Sequence, residues 1–198
     1  MEKLNVAVLL FDDVEVLDFA GPFEVFSVTS ELNNFEPFEV FTVAQIKERV
    51  RAVNGLSVNP DYSIANCPKP DIIIVPGGAG TRRVMKQPDM IAWLQGHTLD
   101  TRHTVSVCTG SLVLAQAGLL DGLEVTTHHE LYDMLEEITP GAVVNRRDRF
   151  LDNGKIITAG GISAGIDMSL YLVEKLLGTE IANKTRVYME YGDWRSIQ

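Results

Sequence analysis

The stretch Thr104-Val105-Ser106-Val107-Cys108-Thr109-Gly110-Ser111 decides the fold. Ahead of Cys108 the residues are β-branched and apolar, the composition of a buried strand. Behind it, Leu112-Val113-Leu114-Ala115-Gln116-Ala117-Gly118 places apolar and small residues at helical spacing. A thiol at such a junction meets unpaired backbone N–H groups and the positive end of a helix dipole. Both favour thiolate, the nucleophilic form. The same strand–nucleophile–helix turn presents the serine of α/β-hydrolases. Cys108 is therefore read as a candidate nucleophile with a low pKa. The competing reading is a small buried hydrophobe, because free cysteine is commonly buried.

Working outward, strands and helices alternate. Val6–Leu10 reads as a first buried strand, Phe38–Val43 as a second, and Asp71–Val75 as a third that ends at Pro76-Gly77-Gly78-Ala79-Gly80. A helix is predicted over Gly21–Thr29 with Pro22 in its first turn, where a missing N–H costs little. Further helices are predicted over Pro88–Asp100, His129–Ile138, Ser163–Leu177 and Glu180–Tyr191. Asn54-Gly55 and Asn153-Gly154 are hairpin signals, and Glu124–Thr126 reads as a short strand. This alternation implies an α/β fold: a mostly parallel sheet with helices on both faces. Sites in such sheets lie beyond the carboxyl ends of the strands. Three informative segments fall there: Asp12 to Asp18, Pro76 to Gly80, and Cys108 to Gly110.

With 198 residues, 45% of them hydrophobic and 22% charged, the chain is expected to form one domain, residues 1–198. Its formal net charge is −10 and it has no basic tract, which excludes nucleic acid and anionic membranes as expected partners. The run Arg146-Arg147-Asp148-Arg149 reads as a solvated, self-neutralised turn. Two cysteines far apart, Cys67 and Cys108, give no disulfide framework. Neither a signal peptide nor an apolar run of membrane-spanning length is read, so a cytoplasmic protein with reduced thiols is expected. Four histidines without metal-ligand spacing predict no metal site.

Five further candidate residues accompany Cys108. Asp18 sits in Val16-Leu17-Asp18-Phe19-Ala20, an acid among apolar residues. It reads either as the N-cap of the helix at Gly21 or as a desolvated proton donor. Gly77 and Gly78 read either as a plain turn or as a pocket whose N–H groups meet developing negative charge. The Thr109 N–H would join that pocket, and its hydroxyl would reach substrate or Asp18. His128, after Val125-Thr126-Thr127, reads as a polar helix start or as the partner of a Cys–His pair.

Six segments in order resemble the ThiJ/PfpI superfamily, relatives of class I glutamine amidotransferases: Asp18–Pro22, Ile74–Gly78, Val107–Ser111, Ala117–Gly122, Thr126–His128 and Thr158–Asp167. Each is a weak signal alone. Within the superfamily, an elbow cysteine followed by Thr-Gly-Ser, with aspartate after the first strand, resembles the isocyanide (isonitrile) hydratase branch. The deglycase and glyoxalase branch usually has glutamate at the acid position, and the intracellular protease branch histidine after the cysteine. AraC-type regulators share the pattern but add a helix-turn-helix domain, which these residues are not expected to contain.

The resemblance implies a flavodoxin-like three-layer sandwich, a homodimer, a small-molecule substrate and no cofactor. It also implies a lyase mechanism. Cys108 attacks the terminal isocyanide carbon and Asp18 supplies a proton, giving a thioimidate. Water then releases an N-substituted formamide, with N–H groups around Gly78 and Thr109 binding developing negative charge. Two alternatives stay open: glyoxalase- or amidase-type thiol chemistry assisted by His128, and a non-catalytic redox-sensing or ligand-binding module.

Overall fold

A computed structural model describes residues 3–197. In chain order its elements are β1 (Leu4–Leu9), α1 (Val16–Glu31), β2 (Phe38–Ala44), β3 (Val50–Arg51), β4 (Ser57–Val58), β5 (Tyr62–Ser63), β6 (Ile72–Val75), α2 (Thr81–Val84) and α3 (Pro88–Thr98). There follow β7 (His103–Val107), α4 (Gly110–Gln116), β8 (Glu124–Val125), α5 (Tyr132–Ile138), β9 (Val143–Val144), β10 (Phe150–Asp152), β11 (Ile156–Ala159), α6 (Ala164–Leu177) and α7 (Thr179–Tyr188).

Seven strands form one sheet in the order β10-β11-β7-β6-β1-β2-β5. All its pairings are parallel except β10 with β11, which closes the sheet as the Asn-Gly hairpin. The centre of the sheet is apolar on both faces: Val6, Val8, Ile72, Ile73, Ile74, Val105 and Val107 are wholly buried. That double burial explains their continuous hydrophobic runs. Helices α1, α6 and α7 pack together as one layer, and α2 to α5 as the other. The expected three-layer, flavodoxin-like α/β sandwich is thus the observed one. Among the described residues no helix is long and apolar enough to cross a membrane.

Two predicted boundaries change. Helix α1 begins at Val16 rather than Gly21, so Pro22 lies inside it. An interior proline cannot donate to the carbonyl four residues back, here that of Asp18. The helix tolerates it because packing decides: Pro22 is buried, and its Cγ lies 3.5 Å from the Cβ position of Gly165 on α6. The predicted helix from His129 divides into a 3₁₀ turn, His129–Leu131, and α5.

Four adjacent parallel strands, β11, β7, β6 and β1, end on the same side of the sheet. Their carboxyl ends bring together residues 160–163, Cys108, residues 76–80 and residues 10–18. The site is built there.

Candidate active site

Cys108 occupies the turn between β7 and α4 with φ +56°, a left-handed conformation rare for a residue with a Cβ. The surroundings hold it there. Its N–H is shared between the carbonyls of Ala159 (3.0 Å) and Gly160 (2.9 Å). Its own carbonyl accepts from the hydroxyls of Ser111 (3.2 Å) and Thr127 (3.0 Å). The side chain is left free to point into a cleft of about 490 Å³ lined by Glu15, Gly78, Arg82, Thr109, His128 and Ile162 among others. A strained, over-determined residue of this kind marks a functional position.

Asp18 is the third residue of α1 and is wholly buried. It does not cap the helix: Glu15 takes the N-cap position, without a side-chain bond. The N-cap reading is thereby excluded. Asp18 Oδ2 accepts from the Gly77 N–H at 3.0 Å. Oδ1 has no hydrogen-bond partner. The Cys108 thiol is close enough for each group to shift the other.

Burial dominates both titrations. Desolvation pushes Asp18 from 3.8 up to about 7; the Gly77 N–H and the Cys108 thiol pull it down less, and the Glu15 charge adds to the rise. Cys108 is pushed from 9.0 up to about 12, first by desolvation and then by the Asp18 charge, against the N–H groups of Thr109 and Ile162. The low-pKa thiol expected from the strand-to-helix junction is therefore not present. Helix α4 has only seven residues, and the field of its N-terminus is outweighed by burial and a neighbouring carboxylate. The two groups form instead a coupled pair. Its first proton leaves near neutrality and its second only in strong alkali. Between those limits the pair holds one proton, which rests on sulfur beside an ionised Asp18.

The glycine loop is closely fitted to this pair. A Cβ at Gly77 would stand 2.6 Å from Thr109 N, 2.7 Å from Thr109 Oγ1 and 2.8 Å from Asp18 Oδ2, so the position admits only glycine. The Gly77 N–H is committed to Asp18, and the Gly78 N–H donates to Thr109 Oγ1 at 2.9 Å. Neither is free to bind developing negative charge, contrary to the anion-pocket reading. The Thr109 hydroxyl in turn donates to the Gly78 carbonyl at 3.2 Å. It locks the loop to the elbow and makes no bond to Asp18.

His128 lines the cleft but makes no hydrogen bond to Cys108; its Nδ1 accepts from the Glu130 N–H at 3.4 Å. No Cys–His pair is formed. Two participants escaped the sequence. Ile162 has φ +45°, an outlier for a β-branched residue, and that conformation turns its N–H toward the Cys108 sulfur. Thr127 fixes the elbow carbonyl. Nothing in the side chain of Ile162 signals its role, which belongs to the backbone. Among the described residues no three His, Cys, Asp or Glu side chains are grouped to hold a metal ion.

The DJ-1/PfpI family matches residues 4–175. An isonitrile hydratase of Pseudomonas putida is 37% identical over 188 residues, covering 95% of this chain and 78% of that protein. The HTH-type transcriptional regulator GbdR of Pseudomonas aeruginosa is 30% identical over 90% of this chain; the chain spans 48% of the regulator's length. The crystal structure of a ThiJ/PfpI family protein from Pseudomonas syringae superposes with a TM-score of 0.88 at 27% identity, covering 96% of this chain and 76% of that one.

Proposed function

The chain belongs to the DJ-1/PfpI family, and we propose that within it this protein is an isonitrile hydratase-like lyase that adds water to an isocyanide through Cys108. The observation that carries this reading is the Cys108–Asp18 pair: a buried thiol facing a buried carboxyl that is half-protonated near neutrality. An isocyanide is a neutral, weak electrophile. Its terminal carbon accepts a nucleophile and a proton on the same atom, so thiolate and acid must act together.

With one proton on the pair, that proton moves from the Cys108 sulfur to Asp18 as substrate engages; the thiolate so formed attacks the terminal carbon and the Asp18 proton passes to the same carbon. The product is a thioimidate on Cys108, and Asp18 is left as carboxylate. Water adds its oxygen to the thioimidate carbon and one proton to nitrogen. Collapse of that adduct breaks the C–S bond and returns the hydroxyl proton to Asp18. An N-substituted formamide leaves, and the pair regains its thiolate and its proton. The Ile162 and Thr109 N–H groups stabilise sulfur whenever it carries charge.

The similarity to an isonitrile hydratase over most of both chains supports the same reading. Glyoxalase- or amidase-type chemistry would draw on a Cys–His pair, and His128 is not bonded to Cys108. The test is incubation with an aryl isocyanide, following the formamide by mass spectrometry, alongside Cys108→Ala. Formamide release that depends on Cys108 is the expected result. Lactate from methylglyoxal without formamide would replace the reading with the glyoxalase one. Neither product, with reversible peroxide oxidation of Cys108, would replace it with a sensor. We further propose a homodimer, which light scattering tests against the 21.9 kDa monomer.

A further inference from the structure

The cleft over Cys108 does not end at His128. Beyond that ring lies a second basin of about 510 Å³, and the two share His128 and Ile162 as their common wall. The wall is closely packed. The His128 ring lies against Gly161, where a Cβ would stand 2.4 Å from Cδ2, and it packs on His129 with ring centroids 4.4 Å apart and the planes tilted by 37°. Tyr132 adds a third ring to the basin.

The basin is also lined by residues of the Arg146–Arg149 run. That run reads as self-neutralised in the sequence, and the structure corrects this: among the described residues Asp148 pairs with none of its arginines. Arg146 is engaged by Asp133 (2.7 Å) and Glu136 (2.9 Å). Arg149 donates to Asp167 at 2.6 Å and to Ser163 at 3.2 Å. The Asp148 carboxylate accepts from Asn145 Nδ2 at 2.8 Å. Among the described residues the Arg147 guanidinium has no hydrogen-bond or ion-pair partner; its only bond is from its backbone N–H to Asn145 Oδ1. A lining cation is thus left uncommitted in a chain of net charge −10.

We propose that this basin binds the distal end of the substrate, and that the group it takes is a planar ring bearing a carboxylate. The inference rests on the isocyanide reading of the Cys108 cleft. The reacting end of an isocyanide is two atoms long, so the rest of the molecule extends across the His128–Ile162 wall. There a guanidinium fork matches a carboxylate in geometry and charge, and the rims of the His128–His129 pair and of Tyr132, whose ring carries the Arg146 guanidinium 5.4 Å from its centroid, give the basin an aromatic lining. The basin's volume lies in the usual range for a small-molecule site.

The experiment measures binding separately from turnover. 4-Formamidobenzoate and N-(4-methylphenyl)formamide are titrated by calorimetry into the wild type and Arg147→Gln, and the two corresponding isocyanides are assayed in parallel. In the wild type the carboxylate binds roughly fivefold more tightly, the size of a solvent-accessible ion pair. The preference falls with added salt. It vanishes in Arg147→Gln, while the methyl compound binds both proteins alike. Equal binding of the two compounds by the wild type, absence of binding, or a preference that survives Arg147→Gln overturns the proposal, whatever the turnover. An Arg147-dependent preference with neither isocyanide consumed upholds the basin and removes the isocyanide reading alone.

Discussion

Asp18→Asn should raise stability while it removes activity. The wild-type carboxyl is buried, and folding moves its pKa from 3.8 to about 7. A shift of roughly three units at 1.36 kcal/mol each makes the folded state pay about 4 kcal/mol to keep Asp18 ionised. The folded form binds more protons than the unfolded form between these values, so the wild type loses stability as pH rises from about 4 to about 7. The penalty is absent below the unfolded pKa and complete above the folded one. Asparagine removes it. Its carboxamide oxygen still accepts from the Gly77 N–H, but its amide lacks an acceptor, which costs about 1–3 kcal/mol. Urea denaturation at pH 8 should therefore find the variant more stable by about 1–3 kcal/mol. That gain should shrink as pH falls and reverse near pH 4, where the penalty is absent and only the unpaired amide's cost of about 1–3 kcal/mol remains. Formamide formation should drop by roughly 10²-fold or more, because the proton for carbon is gone. A variant with wild-type turnover, or a wild type whose stability is flat between pH 4 and 7, would refute the reasoning.

Further outcomes follow from the same pair. The rate of turnover at low substrate should rise with pH through about 7, as the pair loses its first proton, and stay level well past the free-cysteine value of about 8.5; a bell centred near neutrality would count against the pair. Glu15→Gln removes a charge that raises Asp18, so the acid limb of that profile should move to lower pH. Gly77→Ala drives a methyl group into Thr109 and Asp18 and should destabilise the fold by about 1–3 kcal/mol with loss of turnover, read by thermal melting and assay. Thr109→Val leaves the Gly78 N–H without its acceptor and should cost about 1–3 kcal/mol in denaturant titration.

The strand–cysteine–helix stretch was legible because both of its neighbours are written in local pattern: a β-branched run before Cys108 and helical spacing after it. The buried runs of β1 and β6 were legible for the same reason, and the order of their ends followed from parallel topology. The start of α1 was not, because Pro22 normally marks a first turn, and only its burial against α6 lets the helix run through it. The titration of the pair was not legible either. Helix position argues for an acidic thiol, and only the tertiary structure reveals how deeply Cys108 and Asp18 are buried together. Residues Gly77 and Gly78 were found, but which groups their N–H bonds serve depends on Asp18 and Thr109 arriving from elsewhere in the chain. Ile162 acts through a backbone conformation that its residue type disfavours. Arg147 differs from its arginine neighbours solely in which carboxylates lie within reach.

In the proposed reaction sulfur and the Asp18 proton add to the same carbon. Rapid-quench mass spectrometry of the intact protein during the first turnover with an aryl isocyanide tests it most directly. A transient adduct on Cys108 equal to the mass of the isocyanide should form in the wild type and not in Asp18→Asn. Formamide produced with no adduct at any time, or an adduct that forms at the wild-type rate in Asp18→Asn, would contradict it.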